Sequence, residues 1–510
     1  MPDEPKLSFD ITPAEDPVPK KVYEDSLAEL RHLLVQAQFR IRSSGHPVVI
    51  IVSGVDGAGK GEFVQRLNEW LDPRGIATYA FGNESQEELE QPFYWRYFRN
   101  MPARGQIGIF FGGWYADPFQ NSVHGQTKLG QLEKQAQQMK RFEDMLHEDG
   151  ALVIKIWQHL TKEDQYQRLT ELEQNPRFHW RVLPDNWKQH KLYENYMKAS
   201  ATMLEATHTE QNPWHIVDAN NPRRRDLESG RIILDSMTEL LENPRPVGGV
   251  AKNPVKEKRA VRHFPGTDYL GETDLESKRS KGDYKKQLAE LQGKIGKLAW
   301  KARDLKIPTV LAFEGWDASG KGGCIRRLLE ALDARLYRTV SVAAPTQEEI
   351  AQHYLWRFWR QLPRPGMCAV FDRSWYGRVL VERVEGFARQ EEWQRAYDEI
   401  NDFEKQLTDH GSILCKFWLH ISPQEQLQRF EAREQIPFKR HKITPDDWRN
   451  RDKWNLYEAA VNDMIDACSA EDAPWTIVPA NDKRYARIMV LKTFYKALNA
   501  AVEKKQEKKD

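Results

Sequence analysis

Residues 310–323, with the sequence VLAFEGWDASGKGG, most constrain what this chain can fold into. The first four residues form a short apolar run that is typical of a buried parallel strand. Glycines and small residues follow, and an amphipathic helical pattern begins directly after them. Strand, glycine-rich loop and helix are the context of a phosphate-binding Walker A loop, and Gly315, Gly320 and Lys321 have its GxxxxGK spacing. The sequence therefore predicts an α/β fold with a phosphate site at this loop.

The chemistry of the loop follows from its residues. Glycines let backbone N–H groups turn inward around a phosphate, the helix N-terminus adds partial positive charge, and the lysine adds a full charge. Gly322 stands where a Walker A loop normally has the Ser or Thr that holds magnesium. Asp317, inside the loop, is the nearest replacement ligand for Mg²⁺. Six residues are predicted to bind phosphate here: Gly315, Ser319, Gly320, Lys321, Gly322 and Gly323.

A second Walker A loop, GVDGAGK, starts much earlier in the chain, at Gly54. Gly315 follows Gly54 by 261 positions, and the same separation recurs without a gap from the first predicted helix to the last predicted strand. It relates Trp114-Tyr115 to Trp375-Tyr376, Pro184-Asp185 to Pro445-Asp446, and Ala219-Asn220 to Ala480-Asn481. Such a separation indicates two copies of one domain.

The repeat divides the chain into four expected segments. They are a flexible N-terminal tail (residues 1–20), a degenerate P-loop kinase-like domain (21–243), a linker rich in Pro, Gly and charge (244–281), and a catalytic P-loop kinase domain (282–505). In the second copy, short β-rich runs at 310–314, 339–343, 368–372, 413–419 and 475–478 alternate with helical patterns. This alternation predicts a parallel sheet flanked by helices.

Bulk composition restricts the partners and the compartment. The 510 residues include 76 Lys and Arg and 75 Asp and Glu, so the net charge is +1 and general nucleic-acid binding is not expected. Four scattered cysteines without metal-ligand spacing indicate a reducing compartment. No signal peptide and no apolar run long enough to cross a membrane are apparent, so we expect a cytoplasmic protein without a membrane partner.

The two copies act as internal controls for each other. An apolar strand in the second copy ends at Asp372, as in a Walker B motif, and Arg373 follows; the first copy has Phe111 and Gly112 at these positions. Because Phe cannot hold a metal, we expect the first copy to be catalytically inactive. Its expected role is structural, either burying surface against the second copy or supporting a homo-oligomer.

Further candidates come from the same comparison. We expect Asp317 and Asp372 to hold Mg²⁺. A basic helical segment after the fourth strand resembles a mobile lid, and its cations are thinned in the first copy: Arg429, Arg433, Lys439, Arg440 and Lys442. Nucleotide-binding candidates that differ between the copies are Arg378, Glu382 and Arg383.

Four motifs of the second copy strongly resemble those of the polyphosphate kinase 2 family. They are the GWDASGKGG loop, the FDRSWY sequence that ends the Walker B strand, VERV at 381–384, and the lid pattern. The tandem arrangement resembles its two-domain subgroup. The resemblance implies a thymidylate-kinase-like P-loop fold with a helical lid, and transfer of a phosphoryl group from inorganic polyphosphate to AMP, giving ADP. It also implies four catalytic residues: Asp317, Lys321, Asp372 and Arg373.

Two other functions are compatible with the motifs. An ATP-dependent nucleoside monophosphate kinase shares the fold and the P-loop. A non-catalytic regulator that binds nucleotide or polyphosphate is suggested by the degenerate first copy. The chemistry of the residues favours polyphosphate as the donor. A row of Arg and Lys suits a donor that carries a charge on every phosphate and has no nucleobase to recognise.

Overall fold

In the computed structural model, which describes residues 7, 9, 17–125, 127, 129–248, 266–435 and 445–507, the chain divides into two units. Unit 1 comprises Met1–Ser85, Arg96–Gly248 and Ala351–His353, and unit 2 comprises Gln86–Trp95, Gly249–Ile350 and Tyr354–Asp510, in each case over their described residues. Gln86–Trp95 belongs to the first copy in sequence but to unit 2 in the structure, and Ala351–His353 belongs to the second copy in sequence but to unit 1 in the structure. The domain limits given above remain predictions.

Five parallel strands form the sheet of the first copy, in the order β2-β3-β1-β4-β5. They are β1 (Val48–Gly54), β2 (Ile76–Ala80), β3 (Ile107–Phe111), β4 (Leu152–His159) and β5 (Trp214–Asp218). The helices up to residue 248 are α1 (Lys20–Ser44), α2 (Lys60–Trp70), α3 (Gln86–Leu89), α4 (Trp95–Arg99), α5 (Ala116–Val123), α6 (Leu129–Glu148), α7 (Lys162–Gln174), α8 (Pro184–Lys191), α9 (Tyr193–Thr207) and α10 (Pro222–Glu242).

The second copy repeats this architecture, with the strand order β10-β9-β6-β8-β7. Its strands are β6 (Thr309–Gly315), β7 (Tyr337–Ser341), β8 (Cys368–Asp372), β9 (Ile413–His420) and β10 (Trp475–Pro479). Its helices are α11 (Lys281–Asp304), α12 (Lys321–Leu329), α13 (Gln347–Ile350), α14 (Trp356–Trp359), α15 (Val381–Glu385), α16 (Gln390–Asp409), α17 (Pro423–Glu434), α18 (Pro445–Asp452), α19 (Trp454–Ala467) and α20 (Lys483–Glu507).

The central strand of each sheet carries the P-loop. All seven residues of β1 are buried, and in β6 the six residues before Gly315 are buried, because helices cover both faces of a parallel sheet. The carboxyl ends of β6 and β8 lie side by side, with Phe313 opposite Asp372. The P-loop and the Walker B carboxylate therefore meet at one edge of the sheet, where α/β folds bind ligands.

These observations confirm the prediction of two parallel sheets flanked by helices. One strand prediction is shifted: the run at 339–343 is observed at Tyr337–Ser341. This edge strand is partly exposed along its whole length, so burial places little constraint on its ends. Among the described helices, none is long and apolar enough to span a membrane.

A buried ion pair occurs at the same place in both copies. Lys416 Nζ lies 2.6 Å from Glu404, which also accepts a hydrogen bond from the Trp375 indole at 3.0 Å. Lys155 and Glu143 repeat the pair in the first copy at 2.7 Å. Because the pair occurs in both copies, including the one without the Walker B carboxylate, its role is to hold the loop after β8 or β3 against the sheet.

Part of the predicted linker packs on unit 2. Leu270 is buried, and its backbone N–H donates to Asn462 Oδ1. Asn462 in turn donates to Asp268 at 2.9 Å. Phe9, which precedes Leu270 by the repeat distance of 261 positions, contacts the rings of Trp157 and His159 in unit 1. Each copy therefore includes a short apolar contact upstream of its first helix.

Candidate active site

The backbone of the second P-loop requires small residues at defined positions. Gly315 has φ +148°, and a Cβ atom there would lie 2.6 Å from the Leu419 carbonyl oxygen. Gly320, at φ +110°, is the residue before α12. The Lys321 ammonium folds against the loop and donates to the carbonyls of Gly315, at 2.6 Å, and of Trp316, at 3.3 Å. The predicted loop residues thus form one continuous turn at the start of α12.

Asp317, in the loop after β6, and Asp372, at the end of the adjacent strand β8, both act electrostatically on the Lys321 ammonium. Burial lowers the pKa of Lys321 and the charge of Arg373 lowers it further, while the three carboxylates of Asp317, Asp372 and Glu314 oppose that lowering. Asp317 is held on both oxygens, by Arg373 at 3.4 Å and by the Asn450 side-chain amide at 2.9 Å. The Asp372 carboxylate is half-buried and makes no hydrogen bond or ion pair to another described residue. It is therefore available to a ligand.

Asp317 and Asp372 supply the carboxylate oxygens at this edge of the sheet. No group of three or more His, Cys, Asp or Glu side chains able to hold a metal occurs within the described part of the chain. Two carboxylates at the end of a P-loop site still suit a hard divalent cation, which takes its remaining oxygen ligands from water and phosphate. The chemistry of these residues therefore fits a divalent cation that is shared with a phosphate group.

Arg373 adopts a strained backbone conformation, with φ +64°. Ala318, in the P-loop, has φ +62°. Their counterparts in the first copy are glycines: Gly112, with φ +82°, and Gly57, with φ +84°. Both copies have the left-handed turn, but only the second bears a side chain there, and the Arg373 side chain is 53% exposed beside Asp317. Backbone strain that persists at such a position is typical of functional sites.

Glu314 is a buried acid at the site that the sequence analysis did not select. Its Oε1 accepts hydrogen bonds from the Ser374 backbone N–H at 2.7 Å and from the Ser374 hydroxyl at 2.8 Å. It thereby ties the end of β6 to the turn that carries Arg373. The repeat comparison contained the signal, because the first copy has Ser53 and Gly113 at these two positions.

An aromatic pair connects the P-loop to α19. The rings of Trp316 and Trp454 stack with centroids 3.6 Å apart and an interplanar angle of 9°. The Trp316 indole N–H donates to His420 Nδ1 at 2.9 Å. Val55 and Tyr193 occupy the positions of the two tryptophans in the first copy, so this stack is specific to the second. The sequence analysis did not identify this pair.

Arg429 has a different environment from the one expected of a polyphosphate ligand. It is buried and donates to four carbonyl oxygens, those of Ala318, Ser319, Ala480 and Asn481, at 2.6–3.0 Å. Its Nε also pairs with Glu425 at 2.6 Å. In place of the predicted contact with a chain of phosphates, Arg429 holds the P-loop to the end of β10. Arg433 is half-buried, while Lys439, Arg440 and Lys442 lie outside the described residues.

The candidate nucleotide-binding residues lie on and just before α15. Arg378 pairs with Glu382 at 3.0 Å and lies over the Tyr354 ring. Arg383 is buried and donates to Asp463 at 2.8 Å. Arg383 is therefore engaged by protein groups, and the nucleotide role of all three remains a prediction.

The first P-loop has a different electrostatic environment. Lys60 pairs with Asp56 at 3.2 Å. Glu62, which replaces Gly323, lies in the first turn of α2 and forms ion pairs with three arginines: Arg168, Arg181 and Arg225. A helix N-terminus attracts negative charge, and here a carboxylate of the protein itself supplies it.

Fold and site together define a P-loop protein of the kinase type, duplicated in tandem. The family model for polyphosphate kinase 2 matches residues 18–244 and 278–508, and the chain belongs to this family. It is 45% identical to a polyphosphate:AMP phosphotransferase of Pseudomonas aeruginosa, over 96% of this chain and 98% of the relative. A polyphosphate:AMP phosphotransferase of Acinetobacter johnsonii is 39% identical, over 92% and 95% of the two chains. A crystal structure of a polyphosphate kinase 2 from Pseudomonas aeruginosa superposes with a TM-score of 0.85 at 44% identity, over 96% of this chain and 98% of the other.

Proposed function

We propose that this chain is a polyphosphate:AMP phosphotransferase, which transfers a phosphoryl group from inorganic polyphosphate to AMP and releases ADP. Relatives with that name match it over nearly their full length. The observation that carries the proposal within the structure is the meeting of the P-loop, with Asp317 and Lys321, and the end of β8, with Asp372 and Arg373, at one edge of the sheet in unit 2. Phe111 takes the place of Asp372 in unit 1, so we assign catalysis to the second copy and a structural role to the first.

Each site residue has a role in that transfer. An AMP phosphate oxygen forms a bond to the terminal phosphorus of polyphosphate, and the anhydride oxygen leaves with the shortened chain. Lys321 and Arg373 neutralise charge on the phosphoryl group as it passes between them, which is the main task of the protein in such reactions. Asp317 and Asp372 would hold Mg²⁺, and the bound ion would supply further charge neutralisation between donor and acceptor.

Supporting residues keep this geometry. Asn450 and Arg373 orient the Asp317 carboxylate, Glu314 fixes the turn of Arg373, and Arg429 holds the P-loop carbonyls. Preorganised groups of this kind contribute because they need no rearrangement as charge develops. The same proposal includes two further groups of residues. The lid cations would bind polyphosphate: Arg433, Lys439, Arg440 and Lys442. Three residues on and just before α15 would bind the nucleotide: Arg378, Glu382 and Arg383.

Compartment and partners belong to the proposal as well. All four cysteines are buried free thiols, and burial raises the pKa of Cys324 and Cys415 to about 12, which keeps them protonated and unreactive. This supports a reducing, cytoplasmic location. The net charge of +1 supports polyphosphate and AMP, bound at a local site, over nucleic acid as partners, and the intact but altered first copy supports a role in a homo-oligomer.

The donor assay tests the function. The protein is incubated with AMP and Mg²⁺ and with either long-chain polyphosphate or ATP, and ADP is quantified by chromatography. We expect ADP from polyphosphate, and a loss of at least ~10²-fold in rate for Asp372→Ala. The matched control is Phe111→Ala, at the same position of the first copy. ADP formed from ATP alone would refute the proposal and indicate a nucleoside monophosphate kinase.

A further inference from the structure

Glu385, the last residue of α15, is a buried acid that binds two cations from a later part of the chain. The residue is 4% exposed. Its Oε2 accepts a hydrogen bond from the Lys453 ammonium at 2.5 Å and lies 3.1 Å from Arg449 Nε. Arg449 belongs to α18, and Lys453 directly precedes α19. We call these three residues the α15–α18 clamp. A buried carboxylate is stable as an anion only when it is paired, so the clamp fixes α18 against the end of α15.

The helix α18 also supplies the amide that holds Asp317. Asn450, which directly follows Arg449, donates through Nδ2 to Asp317 Oδ2 at 2.9 Å. Its Oδ1 accepts a hydrogen bond from the Tyr457 hydroxyl at 3.3 Å. Because Asn450 is within three positions of both clamp cations, a displacement of α18 would carry the amide away from Asp317. The clamp and the P-loop are therefore connected through one short helix.

The position of Asp317 keeps its charge separate from that of the P-loop lysine. Asp317 and Lys321, both within the described part of the second copy, form no ion pair with each other, and the Lys321 ammonium donates to loop carbonyls. In the first copy, the corresponding Asp56 pairs with Lys60 at 3.2 Å. A carboxylate paired with an ammonium cancels charge that would otherwise act on a phosphate. The second copy therefore leaves both charges available to a ligand.

The first copy lacks the clamp. Three residues that cannot form it take its places: His124, Lys188 and Leu192. Lys188 pairs instead with the exposed Asp185 at 2.7 Å. The amide that reaches Asp56 comes from Asn186, at 3.0 Å. Thus α8 docks on its P-loop without a buried acid, and the clamp is not a requirement of the fold. It accompanies the copy that has Asp372.

We propose that Glu385 is a positioning residue for the transfer of the phosphoryl group. It fixes α18 through the clamp, and α18 holds the Asp317 carboxylate through Asn450, apart from the Lys321 ammonium. Glu385 acts only through these groups. The proposal rests on the proposed function, since it concerns a carboxylate that we assign to catalysis.

The loss of the clamp should loosen α18 without unfolding it. Arg451, on the same helix, donates to the Pro423 carbonyl of α17 at 2.7 Å. This contact keeps α18 on α17 when Glu385 is changed. The Asn450 amide is then no longer held against the P-loop, and Asp317 is free to pair with the P-loop lysine, as its counterpart does in the first copy.

Four variants test this role. Glu385→Gln keeps the size of the side chain but removes its charge, and Lys453→Gln removes one cation of the clamp as an independent test. Asn450→Ala removes the amide, and Glu385→Gln/Asn450→Ala combines the two changes. The matched control is Asp185→Asn, which removes the partner of Lys188, the counterpart in α8 of a clamp cation. Hydrogen–deuterium exchange of α18 and α20 is measured by mass spectrometry, and kcat and KM for AMP are measured with polyphosphate as the donor.

We expect α18 to exchange faster in both single variants of the clamp, by at least ~10-fold in Glu385→Gln, with α20 unchanged. In Glu385→Gln, kcat should fall ~10–10²-fold while KM for AMP stays within twofold of the wild type. The double variant should lose no more than Asn450→Ala alone, because both changes remove the same support of Asp317.

Exchange of α18 equal to that of the control would overturn the proposal. So would a kcat within twofold of the wild type despite faster exchange, or losses that multiply in the double variant, since Glu385 would then act by another route. If the wild type forms no ADP from polyphosphate, the proposed function fails, whereas the exchange measurement still decides whether Glu385 fixes α18.

Discussion

Replacing Arg373 with glycine separates its catalytic role from its structural one. The residue adopts φ +64°, a conformation that costs a non-glycine residue about 1–2 kcal/mol. Glycine removes this strain but adds about 0.4–1 kcal/mol of unfolded-state entropy. Arg373→Gly should therefore be more stable than Arg373→Ala by about 0.5–1 kcal/mol, or ~1–4 °C in Tm for a domain of this size.

Compared with the wild type, the glycine variant also loses the contact of Arg373 with Asp317. That ion pair is 3.4 Å long and the Arg373 side chain is 53% exposed, so it contributes at most about 1 kcal/mol. The loss and the relief of strain nearly cancel, and the stability of Arg373→Gly should stay within about 1 kcal/mol of the wild type. Activity should behave differently, since an arginine that stabilises a transferring phosphoryl group contributes ~10³–10⁵ in rate.

The measurements are thermal unfolding and the rate of ADP formation from AMP and polyphosphate, for wild type, Arg373→Gly and Arg373→Ala. Gly112→Ala is the matched control in the first copy. It introduces the strained conformation and a 3.0 Å contact with Ala116, so it should lower stability while turnover is kept. A rate for Arg373→Gly within tenfold of the wild type would refute the catalytic role. A large loss of stability would show that Arg373 is primarily structural.

Three further predictions concern the P-loops and their support. Lys60→Ala should leave the rate of ADP formation within a few-fold of the wild type, while Lys321→Ala should lower it at least ~10²-fold, because only the second loop has the partner carboxylates. Equal losses of rate in the two variants would contradict the assignment of catalysis to the second copy. Arg429→Ala should lower the free energy of unfolding of unit 2 by ~3 kcal/mol, because four carbonyl oxygens lose their hydrogen-bond donor. Arg429→Lys should not restore this stability, and chemical denaturation measures both variants. Burial lowers the pKa of His420 to about 4 from an ordinary value of 6.5. The unfolded chain therefore binds a proton at His420 more readily than the folded protein does. The free energy of unfolding that depends on the neutral ring is fully present above pH 6.5 and is lost as the pH falls towards 4. Between pH 7 and pH 5 the wild type should lose ~2 kcal/mol more than His420→Asn, and equal losses in denaturant titrations at the two pH values would exclude this coupling.

Much of the fold could be predicted from local patterns. The buried strand before each P-loop, the glycine spacing and the alternation of strands with helices all depend on residues close together in the chain. The repeat added a comparison within one sequence, which identified Asp372 and Arg373 because the first copy lacks them. The edge strand Tyr337–Ser341 was misplaced by two residues because its partial exposure leaves no sharp hydrophobic pattern.

Sequence alone therefore determined the class of fold, the duplication and which copy has the P-loop together with the Walker B carboxylate. Only the tertiary structure decided what each cation contacts. Arg429 and Arg433 belong to one charge pattern, yet Arg429 is buried against loop carbonyls 110 and 111 residues away, while Arg433 is half-buried. The bond between Glu314 and Ser374 spans 60 residues in the same way. Such contacts depend on how distant helices and turns dock on the edge of the sheet, and periodicity along the chain does not record that docking.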